Sequence, residues 1–327
     1  MPQAPHETLW TLATAVIASR TLQVIAELGV ADHVGETSVS VKELASACDA
    51  DPEALERALL LLATHGIFEC GADGFAHTEA SRLLRSDHPM SMRSFPRMMG
   101  MPAFTASFAQ LEHSIRTASP SFELVDPEGL FAYLQRHPDE ARIFDQSMTS
   151  KAAADIAAVL AAYDFRRFST VADIGGGRGH LLQAVLHQAP AASGILFDLP
   201  TVIDSLDIPT DRVTLVAGDF FTDPLPSAEA YILMEVIHDW DDAQAAAILT
   251  AVGRAASPGA TVLIIEAAAD DQLDPRVQTL DMIMLTITGG RERTSPQLRQ
   301  LLDSAGLRAG EVFDTPGTMR IVEAVAV

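Results

Sequence analysis

The sequence predicts an α/β fold in which a doubly wound, mostly parallel sheet over residues 164–327 follows a mainly helical front end over residues 1–90 and a helical region over residues 91–163. Three observations carry this. From Val171 onward, short apolar runs of strand length alternate with stretches of helical periodicity. The first of those runs ends in Asp173-Ile174-Gly175-Gly176-Gly177-Arg178-Gly179, a glycine-rich strand-to-helix turn. The first 90 residues instead read helix, helix, helix and short hairpin, the order of a winged helix.

The front-end helices are Thr8 to Glu27, Val41 to Ala45 and Pro52 to His65, each with apolar residues at helical spacing. Ser40 followed by Glu43 is a capping box, and Asp51-Pro52 puts an acceptor at the N-cap and proline at the first helical position. Ile67 to Cys70 and Gly74 to Thr78, separated by Gly71-Ala72-Asp73, form the hairpin. A winged helix raises the question of DNA. Residues 1–90 carry five Lys/Arg (Arg20, Lys42, Arg57, Arg82, Arg85) against thirteen Asp/Glu, the wrong sign for a nucleic-acid reader. A dimerisation role is therefore expected of this segment.

Composition narrows the partners. At 327 residues and 48% hydrophobic content the chain can build two cores. Cys48 and Cys70 lack the pairing of a disulfide framework or a zinc site, so two thiols in a reducing compartment, a cytoplasmic setting and no metal are expected. Met1 to Trp10 lacks a basic region followed by an apolar one, and the sequence reads as having no apolar run of the ~18 residues that a membrane span needs. A net charge of −22 repels phosphate backbones and anionic lipid alike. The expected ligand is small and at most weakly charged.

Residues 91–163 are dense in Met and Phe, among them Met98, Met99, Phe104, Phe108, Phe131, Phe144 and Met148. Each by itself is ordinary core, but together such side chains suit a pocket for a flat apolar ligand. The strands that follow are Val171–Ile174, Gly194–Phe197, Val213–Val216, Ala230–Met234, Thr261–Ile265 and Ile321–Val325, with helices between them. A dinucleotide fingerprint G-x-G-x-x-G would need its third glycine at position 180, where the chain has His180. Asp173, two positions before G-x-G, suits instead a ligand carrying an ammonium and a sulfonium. Asp198 ends the second strand where a carboxylate can chelate ribose hydroxyls. Asp219 follows the third, where an amino group of adenine can be read and Phe220 can pack on the ring. Any one of the three could equally be an Asx turn or a helix cap. His238, in Ile237-His238-Asp239-Trp240, stands just beyond an apolar strand, where open α/β sheets bind their ligands, and it titrates near neutral pH.

With these motifs in order, the chain resembles the S-adenosylmethionine-dependent O-methyltransferases of the plant caffeate/acetylserotonin type and their bacterial natural-product relatives. The resemblance rests on the glycine turn, Phe197-Asp198-Leu199-Pro200, Gly218-Asp219-Phe220, His238-Asp239-Trp240, Glu266 and Gly289-Gly290-Arg291-Glu292-Arg293-Thr294. It implies a Rossmann-like methyltransferase domain behind a winged-helix dimerisation domain, and a homodimer. It further implies His238 as general base flanked by Glu266 and Glu292. The cofactor would lie against Asp173, Gly175, Gly177, Asp198, Leu199, Gly218, Asp219, Phe220 and Met234, and an aromatic acceptor against Phe144, Met148 and Met284. Many plant members have lysine at the position of Met234, so that contact is missing or supplied differently.

The implied reaction is in-line displacement at the sulfonium methyl. His238 takes the proton of a phenol that is otherwise a poor nucleophile at neutral pH, while Glu292 or Glu266 fixes the ring tautomer. That reading expects a rate rising through a pKa near 6 to 7, and Asp239 is expected to cap the helix beginning near Trp240. Relatives that bind the same cofactor yet hydroxylate, decarboxylate or cyclise leave a second reading open, and a ligand-sensing regulator is a third.

Overall fold

A computed structural model describes residues 4–208, 211–270 and 273–327. The chain forms two compact units: the first runs through Thr105 and takes in Pro138–Lys151, and the second holds Ala106–His137 and Ala152–Val327. The segment 91–163 is thus shared between them.

In the first unit α1 (Pro5–Leu28), α2 (Val41–Ala47) and α3 (Pro52–Thr64) precede a hairpin of β1 (Phe68–Gly71) and β2 (Gly74–His77), followed by α4 (Glu79–Arg82) and α5 (Ser94–Met99). Both expected caps form: Ser40 and Glu43 make the capping box, and Asp51 accepts from the Ala54 N–H at 2.9 Å. Ile25, Val30, Leu44, Leu59, Leu62, Phe68 and Phe75 make the core. Gly74 has no alternative, since a Cβ there would stand 2.1 Å from the Val39 carbonyl oxygen, and Val39 bridges Phe75 to add a short third edge to the wing.

Helix α1 corrects one expectation. By length and composition it could cross a membrane, with a mean hydropathy of 1.3 over 18 residues and 11% of that window buried. Trp10, Leu9, Leu12, Val16 and Ile17 each expose more than half of their surface, a contiguous apolar face of the kind that marks an interaction site.

The next helices are α6 (Pro102–Ala109), α7 (Leu111–Thr117), α8 (Gly129–Arg136) and α9 (Pro138–Ala162). The sheet of the second unit then begins. Its elements are β3 (Thr170–Ile174), α10 (His180–Gln188), β4 (Ser193–Asp198), α11 (Pro200–Ile203), β5 (Val213–Ala217), β6 (Ala230–Met234), α12 (Asp242–Ala255), β7 (Thr261–Ala267), α13 (Pro275–Ile287), α14 (Ser295–Ser304), β8 (Leu307–Asp314) and β9 (Met319–Ala326). The strand order is β5-β4-β3-β6-β7-β9-β8, parallel through β7 and antiparallel for the last two pairs. Both faces are covered: Val171, Leu196, Ile232 and Ile265 pack with Leu182 and Val185 of α10, while Ala172, Phe197, Leu233 and Val262 pack with Ile248 and Leu249 of α12 and Leu302 of α14. That is why the parallel strands read as continuous apolar runs. The connection order reverses between β3 and β6, which opens the crevice where such sheets take a ligand at their C-terminal ends.

Candidate active site

The glycine turn after β3 is built for close approach. Gly175, Gly177 and Gly179 all have positive φ, and the Gly175 N–H pairs with the Phe197 carbonyl of β4 at 2.8 Å. A Cβ at Gly176 would fall 2.5 Å from the Asp173 carboxyl carbon, one at Gly175 3.0 Å from Val236, and one at Gly177 would meet nothing within 4 Å. The open side of the turn is therefore at Gly177.

Around that turn stand three acids. Asp173 ends β3 with 2% of its surface exposed and its Oδ2 has no hydrogen-bond partner among the described residues. Burial first, then the neighbouring Asp198, pushes its carboxyl up to about 7. Asp198 ends β4 and accepts the Gly177 and Leu199 N–H groups, each at 2.7 Å, so this acid organises the turn itself. Asp219 lies two residues past β5, and its Oδ1 accepts the Phe221 N–H at 2.9 Å in an Asx turn. Gly218 is tight against Phe197, where a Cβ would come within 2.8 Å of the ring. Phe220 meets Trp240 edge-on with centroids 5.7 Å apart, and Phe131 stacks on the same indole at 5.6 Å. A buried acid with an unpartnered oxygen beside a Cβ-free turn and a carboxylate at the next strand end fits a ligand that brings an ammonium group and a ribose.

His238 lies in a single helical turn, Ile237–Asp239, just past β6 and Met234. It is buried, with its Nδ1 2.7 Å from Glu292 Oε1 and its backbone N–H donating to Glu266 Oε1 at 2.8 Å. Sequence reasoning left open which acid fixes the ring. Glu292 holds the imidazole, and Glu266, from β7, holds the backbone beneath it. A carboxylate only accepts, so in the neutral ring Nδ1 carries the proton and Nε2 is left for another partner, with Asp239 Oδ1 3.8 Å away, too far to bond.

The electrostatics correct the expected pH dependence. Burial opposes a charged imidazole, but the hydrogen bond to Glu292 and the charges of Asp239, Glu292 and Glu266 outweigh it and raise His238 to about 10 rather than leaving it near 6 to 7. Glu266 is itself pushed up to about 7, chiefly by burial. A second correction concerns Asp239, which is not the cap of α12: that N-cap is Asp241, whose Oδ1 accepts the Gln244 N–H at 2.8 Å.

The residues read as acceptor contacts fall in different parts of the chain. Phe144 and Met148 lie on α9 in the first unit, and Met284 is buried on α13 in the second. An open depression of about 530 Å³ lined by Phe168, Thr170, Glu229 and Thr261 sits at the N-terminal ends of the strands, the end at which such sheets do not carry their chemistry. Sequence reasoning quoted Gly290 and Arg293 within the resembling motif without giving them a role, and did not single out Asp281. A Cβ at Gly290 would stand 1.9 Å from the His238 carbonyl oxygen, Asp281 accepts the Glu292 N–H at 2.8 Å, and Arg293 is buried against the His238 turn. The Gly-Gly pair beside a run of alternating charges was the available signal.

Comparison with known proteins agrees with this architecture. Residues 108–308 match the O-methyltransferase domain and residues 10–87 the O-methyltransferase dimerisation domain. The chain is 36% identical to O-demethylpuromycin-O-methyltransferase of Streptomyces alboniger, over 95% of this chain and 86% of that protein. It is 34% identical to the 8-amino-8-demethylriboflavin N,N-dimethyltransferase of Streptomyces davaonensis, over 87% of this chain and 85% of that one. Human N-acetylserotonin methyltransferase, solved in complex with SAM, superposes with a TM-score of 0.91 at 27% identity, covering 99% of this chain and 98% of that one. A mostly parallel sheet carrying a glycine turn and a histidine–glutamate pair at its strand ends, matched along both domains, places the chain in the O-methyltransferase family, as an enzyme of its dimerisation-domain branch.

Proposed function

We propose that this protein transfers the methyl group of S-adenosylmethionine to a hydroxyl, phenolic in character, of a small aromatic metabolite, with His238 as the general base. The observation that carries this reading is the His238–Glu292 bond, which commits Nδ1 and leaves Nε2 as the atom to take a proton. The cofactor residues are Asp173, Gly175, Gly177, Asp198, Leu199, Gly218, Asp219, Phe220 and Met234. The orphaned oxygen of Asp173 takes the amino group, Asp198 the ribose, and Phe220 with Trp240 the adenine. Bound there, S-adenosylmethionine supplies a methyl already activated by its sulfonium. The chain's own part is to hold the acceptor oxygen in line, take its proton at Nε2 and spread the resulting charge over Glu292, Glu266 and Asp239. Phe144, Met148 and Met284 are read as the acceptor contacts.

The exposed apolar face of α1 lies within the matched dimerisation domain, which supports a homodimer built mainly by residues 1–90. Trp10→Asp with Ile17→Asp should convert a dimer into a monomer by light scattering at micromolar concentration, and a wild-type monomer there would sink the assignment. Residues 91–163 are read as connecting and pocket-forming, residues 164–327 as catalytic, and the setting as cytoplasmic.

The decisive experiment incubates the enzyme with S-adenosylmethionine and a panel of polyketide, phenazine and flavonoid phenols and looks for a mass gain of one CH₂ on oxygen. Because one relative is an N,N-dimethyltransferase, aminoarenes belong in the panel. Methylation of amines alone would move the acceptor from oxygen to nitrogen, and consumption of acceptor without methyl gain would favour a non-methylating reaction.

A further inference from the structure

The turn that carries His238 does not hold itself. Glu235, at its entrance, has a φ of 54°, a left-handed conformation that a non-glycine residue adopts only when its surroundings impose it. Inside the turn the Asp239 N–H reaches the Val236 carbonyl and the Trp240 N–H the Ile237 carbonyl, both at a long 3.3 Å. Glu266 takes the His238 N–H at 2.8 Å, and the other short bonds come from residues 291–293. The Arg291 N–H donates to the His238 carbonyl at 2.8 Å, and the Arg293 guanidinium donates to the Ile237 carbonyl from Nη1 at 2.8 Å and to the Trp240 carbonyl from Nη2 at 2.7 Å. Its Nε closes on Asp242 Oδ1, at the start of α12, at 3.0 Å.

Arg293 is 1% exposed. Burying a guanidinium is costly, and a Met of similar volume would fill the same space without that cost. What the Met lacks is a rigid planar fork able to grip at once two carbonyls three residues apart, those of Ile237 and Trp240, and lysine, with its donors on a single nitrogen, lacks it too. Between Arg291 and Arg293 sits Glu292, the partner of the His238 ring. One tripeptide therefore supplies both the carboxylate and the clamp, so the two ends of the 2.7 Å bond move together.

We propose that Arg293 is a positioning residue for methyl transfer, fixing the backbone on both sides of His238 so that the imidazole keeps its bond to Glu292 and its Nε2 faces the acceptor. The proposal rests on His238 being the base. It is tested by Arg293→Lys in the full-length protein, with the His238 ring signals assigned by their loss in His238→Gln. In wild type the imidazole should titrate well above 7, with a strongly deshielded Nδ1 proton, because Glu292, Glu266 and Asp239 face it. In R293K the ring proton should be lost to solvent exchange and the titration should fall by about one pH unit or more, as the contact with Glu292 loosens. A folded R293K whose His238 titration and ring proton match wild type overturns the proposal. Should R293K fail to fold, Asp242→Asn carries the test: Asp242 is largely exposed and touches the His238 turn through Arg293. A smaller shift of the same sign supports the clamp, and no shift overturns it. Failure of the parent reading shows separately, as a His238→Gln enzyme that methylates at the wild-type rate.

Discussion

Two buried titratable groups stand at the ends of neighbouring strands, Asp173 as the next-to-last residue of β3 and His238 just past β6, and their surroundings are opposites. Asp173 faces a second acid in Asp198 and keeps one oxygen without a partner among the described residues, so burial drives it toward the neutral form. His238 is surrounded by the countercharges it needs, with Glu292 on the ring, Glu266 on the backbone and Asp239 nearby, so it holds its proton unusually tightly. One half of the site is incomplete until a ligand brings a positive group. The other is assembled in advance, as expected where charge develops during reaction rather than on binding. The comparison can be broken at either end.

The largest effect should come from His238. Replacing it by Ala or Gln should leave cofactor affinity intact and lower the methylation rate by roughly 10² to 10⁴. Its pH signature differs from that of an ordinary histidine: because the carboxylates favour the imidazolium, the rate of the free enzyme should climb with pH through a limb well above 7. A limb at 6 to 7 would show that the carboxylates do not act as the geometry implies. Glu292→Gln then sharpens the point. It keeps an acceptor but removes a charge, so the limb should move to lower pH while the maximal rate falls by about tenfold or more, part of the imidazolium's stabilisation being gone. An unchanged limb would assign the raised basicity to Glu266 and Asp239 alone.

How much of this could be read beforehand follows from what each feature depends on. The inner strands β3, β4, β6 and β7 were legible because both faces of the sheet are covered there and their runs are mostly apolar. β8 was not: it is an edge strand, half of whose residues are exposed, and a register shift between Ala309 and Val312 breaks its alternation. The acids at the strand ends were visible as a pattern, but which served as turn and which stood unpartnered depends on hydrogen bonds that spacing does not encode. Asp239 was misjudged as the cap because three acids flank Trp240 and only the backbone selects Asp241. The direction of the His238 shift was out of reach, since its countercharges come from β7, from the turn itself and from the loop at Glu292, segments far apart in sequence. Arg293 was hidden for the same reason, a charged residue in a glycine-flanked loop reading as solvent-exposed until the fold buries it.

At the ligand end, Asp198→Ala should weaken binding of S-adenosylmethionine by about 1.5 to 3 kcal/mol, the usual worth of hydrogen bonds to a charged group. Because Asp198 also accepts the Gly177 N–H, Asp198→Asn separates two contributions. The amide can still accept from Gly177, so affinity partly restored in the Asn variant would apportion the loss between turn and ligand. Equal affinity for wild type and both variants by calorimetry would remove the assignment of this acid to the cofactor.

The smallest effect is the most direct test of the contrast between the two groups, because it needs no ligand. An acid whose folded-state pKa is about 7, against 3.8 for an ordinary aspartate, binds its proton more tightly folded than unfolded. Its contribution is therefore most favourable at low pH, and stability is lost as pH rises toward and through 7, where the buried carboxyl must ionise without a partner. Asp173→Asn keeps the shape and cannot ionise. Measured without cofactor, the stability of D173N relative to wild type should rise by about 1 kcal/mol between pH 6 and pH 8, roughly a 2 °C widening of the melting-temperature gap in a chain of this size. The same variant should bind S-adenosylmethionine more weakly, since an amide oxygen offers an ammonium no charge. A protein stabilised at high pH yet weakened for its ligand is what an incomplete site demands. A gap that does not change with pH would mean that Asp173 is ionised and satisfied in the free protein, and the division between an open ligand end and a closed catalytic end would fall with it.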